Sequence, residues 1–350
     1  MAVRHDARSQ RDFLDHREYH IVWFAPLAIE AAAALVVLDE RHHGQFRTPP
    51  GVNSVYKAGS IAGHNVAIAT FAAGQEYGTN SAATIAKEIE IVFPNVRFVL
   101  LVGVAAGLPT PDRDIRLGDV LVAVSQGDAP AVVDYQLGKE TAEAGFVPLR
   151  QGYLLNPIPR LLGAAINSLR LEANEGLDLV MQNFQNDFSI HRNFSHPGQD
   201  QDVLTTKIED GSQIQLDRPR RLETEQTRLW YGTIGSGNKL LKNSTIRDQL
   251  RDKFGLIGLE MEVAGMMNIL PTGVIRGVCD YGDEQKNKAW QPYAAAVAAS
   301  YAKALLASLP STAYAASRSR RPRSALETVG TLGQEDVDGI RLVGRAPARL

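Results

Sequence analysis

Short apolar runs alternate with amphipathic stretches along most of the chain. Ile21-Val22-Trp23-Phe24 predicts a strand, and Ala28 to Glu40, introduced by Ala25-Pro26-Leu27, predicts an alanine-rich helix. Val55 to Ile61 and Asn65 to Phe71 read as strands flanking a turn at Gly63-His64. Thr79 to Phe93 predicts a helix, with Thr79 and Asn80 near its start and Pro94 just past its end. Phe98 to Val104 is continuously apolar, as a strand covered on both faces would be. Further strands are predicted at Gly118 to Val124, Trp230 to Ile234 and Val274 to Cys279. Helices are predicted at Pro159 to Ala173, in part of Lys239 to Phe254, at Glu262 to Asn268 and at Tyr293 to Ser308. Strands alternating with helices define an α/β layered domain with a mixed central sheet.

Three segments break the pattern. Residues before about Tyr19 are polar and unpatterned, which predicts a loose leader (1–19). Residues 172–228 are rich in Gln, Asn, Asp and Arg, which predicts a polar insertion or lid rather than core. After Pro310 comes the basic run Ser317-Arg318-Ser319-Arg320-Arg321-Pro322-Arg323-Ser324 and an unpatterned end, predicting a solvated tail (310–350). A nuclear-targeting or anion-binding role is the alternative for that run. The folded domain is expected over 20–309.

Composition narrows the function classes. The 350 residues are 44% hydrophobic and 22% charged with a formal charge of -2, the make-up of an ordinary globular protein without a global bias toward nucleic acid or anionic membrane. Cys279 is the only cysteine, so an intrachain disulfide and a multi-cysteine metal site are excluded, and a reducing, cytoplasmic setting is expected. The longest apolar run, Phe98 to Pro109, falls well short of the ~20 residues that span a bilayer.

Candidate chemistry sits where acids meet these apolar runs. Glu260 and Glu262 are two residues apart, so they share a face if the segment is extended and diverge if it is helical. A carboxylate there could accept hydrogen bonds from a vicinal diol; an exposed helix start is the plain alternative. Asp280 ends a predicted strand with Arg276 four residues before it, and could act as a general acid if its surroundings favour the protonated form. Glu30 falls in the first turn of a predicted helix after a strand. There an acid either complements the helix dipole or stands at the strand end as a base toward water. Gly103-Val104-Ala105-Ala106-Gly107 follows a buried strand, where glycines let backbone N–H groups approach a ligand; a tight turn explains them equally well. The spacing fits neither a Walker loop nor the dinucleotide fingerprint.

These segments, taken in order, resemble the nucleoside phosphorylase and nucleosidase superfamily, and especially its fungal-type branch, often found at the front of larger immune-receptor-like proteins. The most specific pieces are Ile257-Gly258-Leu259-Glu260-Met261-Glu262-Val263-Ala264-Gly265 and Val274-Ile275-Arg276-Gly277-Val278-Cys279-Asp280-Tyr281. Trp23 to Glu30, Gly78 to Ala83, Ile115 to Val120 and Lys286 to Tyr293 also match. The resemblance covers about residues 20–309 and implies a three-layer α/β/α phosphorylase-type fold that cleaves the N-glycosidic bond of a purine nucleoside.

Carried over motif by motif, it implies Asp280 as proton donor to the leaving base and Glu262 as partner of the ribose hydroxyls, with Met261 beneath the ribose. Glu30 aligns with the acid that activates water. Gly103, Val104 and Gly107 would line the nucleophile's place, Asn238 would lie beside the base, and Lys239, Leu240 and Leu241 would follow as wall residues. Glu260 and Arg276 complete the candidate binding set. Phosphorylases of this kind carry an arginine and a hydroxyl residue on the phosphate where this chain has Leu101 and Val104, so hydrolysis of an adenine nucleoside or nucleotide, ATP included, is expected over phosphorolysis. Lys139, Arg116, Lys286, Lys288 and the arginines at 218, 220 and 221 are candidate partners of a 5′ phosphate. No cofactor is expected, phosphate being the candidate co-substrate at most. A homo-oligomer is expected by analogy. A sensing module that binds without turnover is the competing class, and nucleic-acid binding the weakest.

Overall fold

Ile21–Phe24, Phe98–Gly107 and Thr272–Asp280 lie side by side and parallel at the centre of one mixed sheet. The computed structural model describes residues 13–310 apart from 75–76, 144, 150–154, 208–211 and 285–287. The expected tail from 311 onward lies outside the described residues, as do Lys286 and Asn287. Among the described residues the sheet runs in the order Leu229–Gly232, Val120–Ala123, Thr272–Asp280, Phe98–Gly107, Ile21–Phe24, His64–Ala69, Lys57–Ile61, Glu40–His42. Central strands are apolar on both faces because helices cover both, giving the α/β/α arrangement that the sequence pattern predicts.

One covering layer is built on Gln291–Ala307, an alanine-rich helix buried along nearly its whole length. It lies against Phe98–Gly107 and Thr272–Asp280 and is flanked by Ala28–Val36 and Ala173–Phe188. Small residues permit this close approach: a Cβ on Gly277 would collide with the Ala294 carbonyl. Thr79–Val92 and Val263–Met266 pack together separately. Among the described residues no helix is long and apolar enough to cross a membrane.

The sheet forks at Phe98–Gly107. Ile21–Phe24 pairs with it only as far as Phe24 beside Leu101. Further along, Gly258–Glu260 takes an antiparallel place, with Leu259 opposite Ala106 and Gly258 opposite Gly107. Ile234–Ser236 extends this branch, and Val132–Asp134 follows. A crevice opens where the two neighbours part, as at other points where strand order changes in α/β sheets.

Several elements differ from the sequence pattern. The first helix ends at Val36, because the chain turns into the edge strand Glu40–His42, paired with Lys57–Ile61. Residues 13–18, expected in a loose leader, form a short strand, Phe13–Leu14 on Gln45–Phe46, and a 3-10 turn, His16–Glu18. Gly103 to Gly107 is no turn but the end of the strand, where Gly103 to Ala106 pair with Arg276 to Asp280 and Gly107 faces Gly258. The polar stretch 172–228 is core in part: Val180, Phe184 and Phe188 recur at helical spacing within Ala173–Phe188 and meet the Gln291–Ala307 helix, with Phe184 5.3 Å from Tyr293. Further along the same stretch Arg221 donates to both oxygens of buried Asp119 at 2.6 and 3.0 Å. Asp119 also accepts from Arg116 N, Arg228 N and Trp230 Nε1, each at 2.8 Å.

Candidate active site

The crevice at the fork holds a cavity of about 320 Å³, within the range of small-ligand sites. Its polar floor carries Glu30, Glu260, Glu262 and Asp280; its apolar walls include Val104, Tyr135, Leu240, Leu241, Leu259 and Met261. Tyr77, Lys239, Lys288 and Gln291 complete part of the rim.

Glu30 reaches the cavity from the first turn of Ala28–Val36, three residues after Leu27. Its Oε2 accepts the Leu27 N–H at 2.6 Å, as a residue closing a helix start does, and Oε1 accepts the Val104 N–H at 2.7 Å. Helix-start and site roles thus coincide in one side chain. Gly103 makes room for it, since a Cβ there would collide with Glu30 Oε1 and Arg276 Nη1.

Glu260 ends its strand and Glu262 follows the bend, and both carboxylates converge on one guanidinium. Arg276 Nη2 donates to Glu260 Oε2 at 2.5 Å and to Glu262 Oε2 at 2.9 Å, while Nη1 stands 3.8 Å from Glu30 Oε1. Glu260 also accepts the amides of Glu262 and Val263, both at 3.1 Å. Three carboxylates therefore share one buried positive charge, in a place where water cannot solvate the remainder. Burial pushes Glu30 up to about 6 against the opposing pull of Arg276 and the two amides. Glu262 is raised further, by burial first, with Glu260 and Glu30 adding to it and Arg276 opposing.

Asp280 ends Thr272–Asp280 at a register shift after Val278, a bulge of the kind that re-aims a side chain. Its Oδ1 accepts the Gly282 N–H at 2.8 Å, and Gly282 has a left-handed φ of 65° that suits glycine.

Of the residues singled out from the sequence, Glu30, Val104, Glu260, Met261, Glu262, Leu240, Leu241 and Asp280 line this cavity. Four do not. Arg276 lies beneath it, fully buried and engaged by the acids, so its partners are Glu260 and Glu262 rather than Asp280 or a ligand. Gly103 and Gly107 are packed within the strand, Gly103 under Glu30 and Gly107 against Val278 and Ile115. Asn238 caps the helix Thr79–Val92, its Oδ1 accepting Thr79 N at 2.7 Å and Thr79 Oγ1 at 2.9 Å.

Two lining residues carry no signal in the sequence pattern, Tyr77 and Tyr135. Tyr135 follows the three-residue strand Val132–Asp134, too short to leave a periodic signal. The phosphate candidates divide: Lys288 is on this rim, whereas Arg116, Arg218, Arg220 and Arg221 line a separate cavity of about 670 Å³. Acids engage those arginines, through Asp114, Asp119, Asp200 and Asp202, so their charge is largely balanced. Lys139 sits in the hairpin strand Gly138–Thr141, away from the cavity lining.

No family model matches the chain. A nucleotide-binding leucine-rich repeat (NLR)-like protein of Hyaloscypha variabilis is 37% identical over 318 residues, 87% of this chain and 31% of that protein. The chain thus spans about a third of that relative's length. The 5′-methylthioadenosine/S-adenosylhomocysteine nucleosidase of Mycobacterium tuberculosis is 24% identical over 268 residues, 73% of this chain and 85% of that one. Among solved structures, futalosine hydrolase of Helicobacter pylori aligns with a TM-score of 0.55 and 18% identity over 84% of this chain and all (100%) of its own. A variant of the 5′-methylthioadenosine/S-adenosylhomocysteine nucleosidase from the same organism, with 5′-methylthioadenosine in the active site, aligns with a TM-score of 0.53 and 16% identity, over 83% and 99% of the two chains. The chain has the fold of the nucleoside phosphorylase and nucleosidase superfamily, as its motifs led us to expect. Its sequence is similar both to bacterial nucleosidases and to a fungal NLR-like protein.

Proposed function

We propose that the chain is a nucleosidase that hydrolyses the N-glycosidic bond of an adenine nucleoside or nucleotide. The observation that carries this reading is the convergence of Glu30, Glu262 and Asp280 on one nucleoside-sized cavity, with Arg276 buried beneath two of them. As the C1′–N9 bond breaks, its electron pair moves into the purine, and Asp280 passes a proton to N7 so that the base leaves neutral. Glu262 holds the ribose hydroxyls beside the positive charge that develops at C1′. Ionised Glu30 takes a proton from water as the water oxygen bonds to C1′. Met261 packs beneath the sugar.

Water is favoured over phosphate by the state of the strand end. The Val104 N–H, the amide a phosphate oxygen would need, already donates to Glu30, and a dianion there would meet a carboxylate instead of an arginine. No cofactor is required by this reading. Lys239 and Lys288 on the rim give an anionic 5′ group a counter-charge, which extends the substrate class to nucleotides such as ATP. We place the reaction in the cytoplasm and expect a homo-oligomer, which light scattering on the purified chain would test.

Chromatography of products from adenosine, inosine, AMP and ATP, with and without phosphate, tests the reading. Free adenine and ribose or ribose phosphate should appear without added phosphate; strict phosphate dependence with ribose 1-phosphate as product overturns hydrolysis. The NLR-like relative supports a second reading, a sensing module that binds but does not turn over. Asp280→Asn separates the two, since an enzyme loses turnover while a sensor keeps its ligand affinity and had no turnover to lose.

A further inference from the structure

Gln201, Asp202, Thr205 and Arg218, all from the polar stretch 172–228, grip the chain immediately after Asp280. Tyr281 is buried, and its hydroxyl is saturated: it donates to Asp202 Oδ1 and accepts from Arg218 Nη2 at 2.8 Å and Leu117 N at 3.2 Å. Asp202 and Arg218 are themselves paired at 3.0 Å, and the Arg218 guanidinium stands 5.2 Å from the centre of the Tyr281 ring. The Tyr281 carbonyl accepts Arg247 Nη1 at 3.2 Å. Two more contacts continue the grip, Thr205 Oγ1 to Asp283 Oδ2 at 3.2 Å and Trp290 Nε1 to the Gln201 carbonyl at 3.1 Å. None of Asp202, Arg218 or Tyr281 lines the nucleoside-sized cavity.

Asp280 needs such support. It stands where the strand has left regular register, beyond the last evenly paired residue, Val278, and its carboxylate is aimed by a turn that closes at Gly282. A bulge followed by a left-handed glycine has local freedom that sheet hydrogen bonds do not remove. Tyr281 lies between the bulge and the glycine, so immobilising its ring, hydroxyl and carbonyl fixes the backbone on which Asp280 is carried.

We propose that Asp202 and Arg218 are positioning residues that act through Tyr281 to hold Asp280 in line with the leaving base. The inference rests on the nucleosidase reading above. It gives the polar stretch a role in turnover although none of its described residues lines the cavity. Small displacements of an acid from its line of proton transfer can cost about 100-fold in rate without loss of substrate binding.

The test is a double-mutant cycle on the full chain, with turnover of adenosine and melting temperature measured for Tyr281→Phe, Asp202→Asn and the two combined. Each single variant should lower kcat by roughly 10- to 100-fold with KM little changed. The combined variant should be little slower than the slower single one, because the direct bond from Asp202 to the segment after Asp280 runs to the hydroxyl that Phe lacks. Asp202→Glu, which keeps the charge and an acceptor, should recover part of the loss. Single variants that match wild-type kcat, whatever their melting temperatures, overturn the inference and leave the nucleosidase reading standing, as do losses that multiply in the combined variant. A wild-type chain that releases no base from any substrate overturns both.

Discussion

Replacing Arg276 with Met keeps much of the volume and removes the one charge that three buried carboxylates share. The guanidinium is about 1% exposed and makes bonds of 2.5 and 2.9 Å to Glu260 and Glu262. Breaking a buried pair by deleting one partner costs about 3–5 kcal/mol, because the other charge stays behind in a poorly solvated place. Against a typical total stability of about 5–15 kcal/mol that is a large fraction, and for a domain of this size it corresponds to a fall of roughly 10 °C in Tm. The loss should depend on pH, with a definite sign. Glu30 has its folded value raised from 4.5 to about 6, and Glu262 is raised too, so the folded chain binds protons that the unfolded chain has released. Their contribution to stability is full below about 4.5 and is lost as pH rises through about 6 and beyond; for Glu30 alone the loss is on the order of 2 kcal/mol. Arg276 restrains both rises, so without it the folded values climb further and the loss becomes steeper. The gap in Tm between wild type and Arg276→Met should therefore be small near about pH 5 and large near about pH 8. Scanning calorimetry across that range measures it. A gap that stays constant with pH, or no gap, would refute the idea that Arg276 is there to balance the acids.

Other outcomes follow from the same geometry. Asp280→Asn should lower turnover by roughly 10²- to 10⁴-fold with Tm unchanged, measured by base release; turnover equal to wild type removes Asp280 from the reaction. The rate kcat/KM should rise with pH through about 6 as Glu30 ionises, and Glu30→Gln should abolish that limb along with most of the activity. Gly103→Ala should cost about 1–3 kcal/mol in urea denaturation and slow turnover as well, since its methyl group would displace Glu30 and Arg276 together. Lys288→Ala should raise KM for AMP by roughly 10-fold and leave adenosine unaffected, if the lysine pairs with a 5′ phosphate.

Long apolar runs made the centre of the sheet legible, since Ile21–Phe24, Phe98–Gly107 and Thr272–Asp280 need no partner to announce a strand buried on both faces. Val132–Asp134 and Gly258–Glu260 were not, because three residues carry no period and their pairing is set by strands distant in sequence. The helix Ala173–Phe188 was hidden for a different reason: its stripe of Val180, Phe184 and Phe188 is diluted by Gln, Asn and Asp on the other faces. Acids near apolar segments anticipated a gathering of carboxylates, and Glu30, Glu260, Glu262 and Asp280 do line one cavity, but the place of the cation was not legible. Arg276, four residues before Asp280 on the strand, was expected in the binding set. The fork brings Glu260 and Glu262 nearer, and two carboxylates hold a guanidinium more firmly than one.

The fork also bears on the nucleophile. Between Leu101, the last partner of Phe24, and Ala106, the first partner of Leu259, one edge of the Phe98–Gly107 strand has no neighbouring strand. Its Val104 N–H must bond to something, and Glu30 supplies the acceptor from a helix start. Had the edge been open, that amide and the adjacent backbone would have formed a ready cradle for an anion. Filling it with a carboxylate makes the strand end an acceptor of protons instead of a donor to phosphate. The surrounding charge balance acts in the same direction, since three acids against one arginine disfavour a further dianion and favour a neutral molecule that can give up a proton. Water satisfies both conditions, and Glu30→Ala should move the balance the other way. Phosphate, added to that variant, should then protect the Val104 amide from hydrogen exchange, whereas it should leave the exchange of the wild-type amide unchanged.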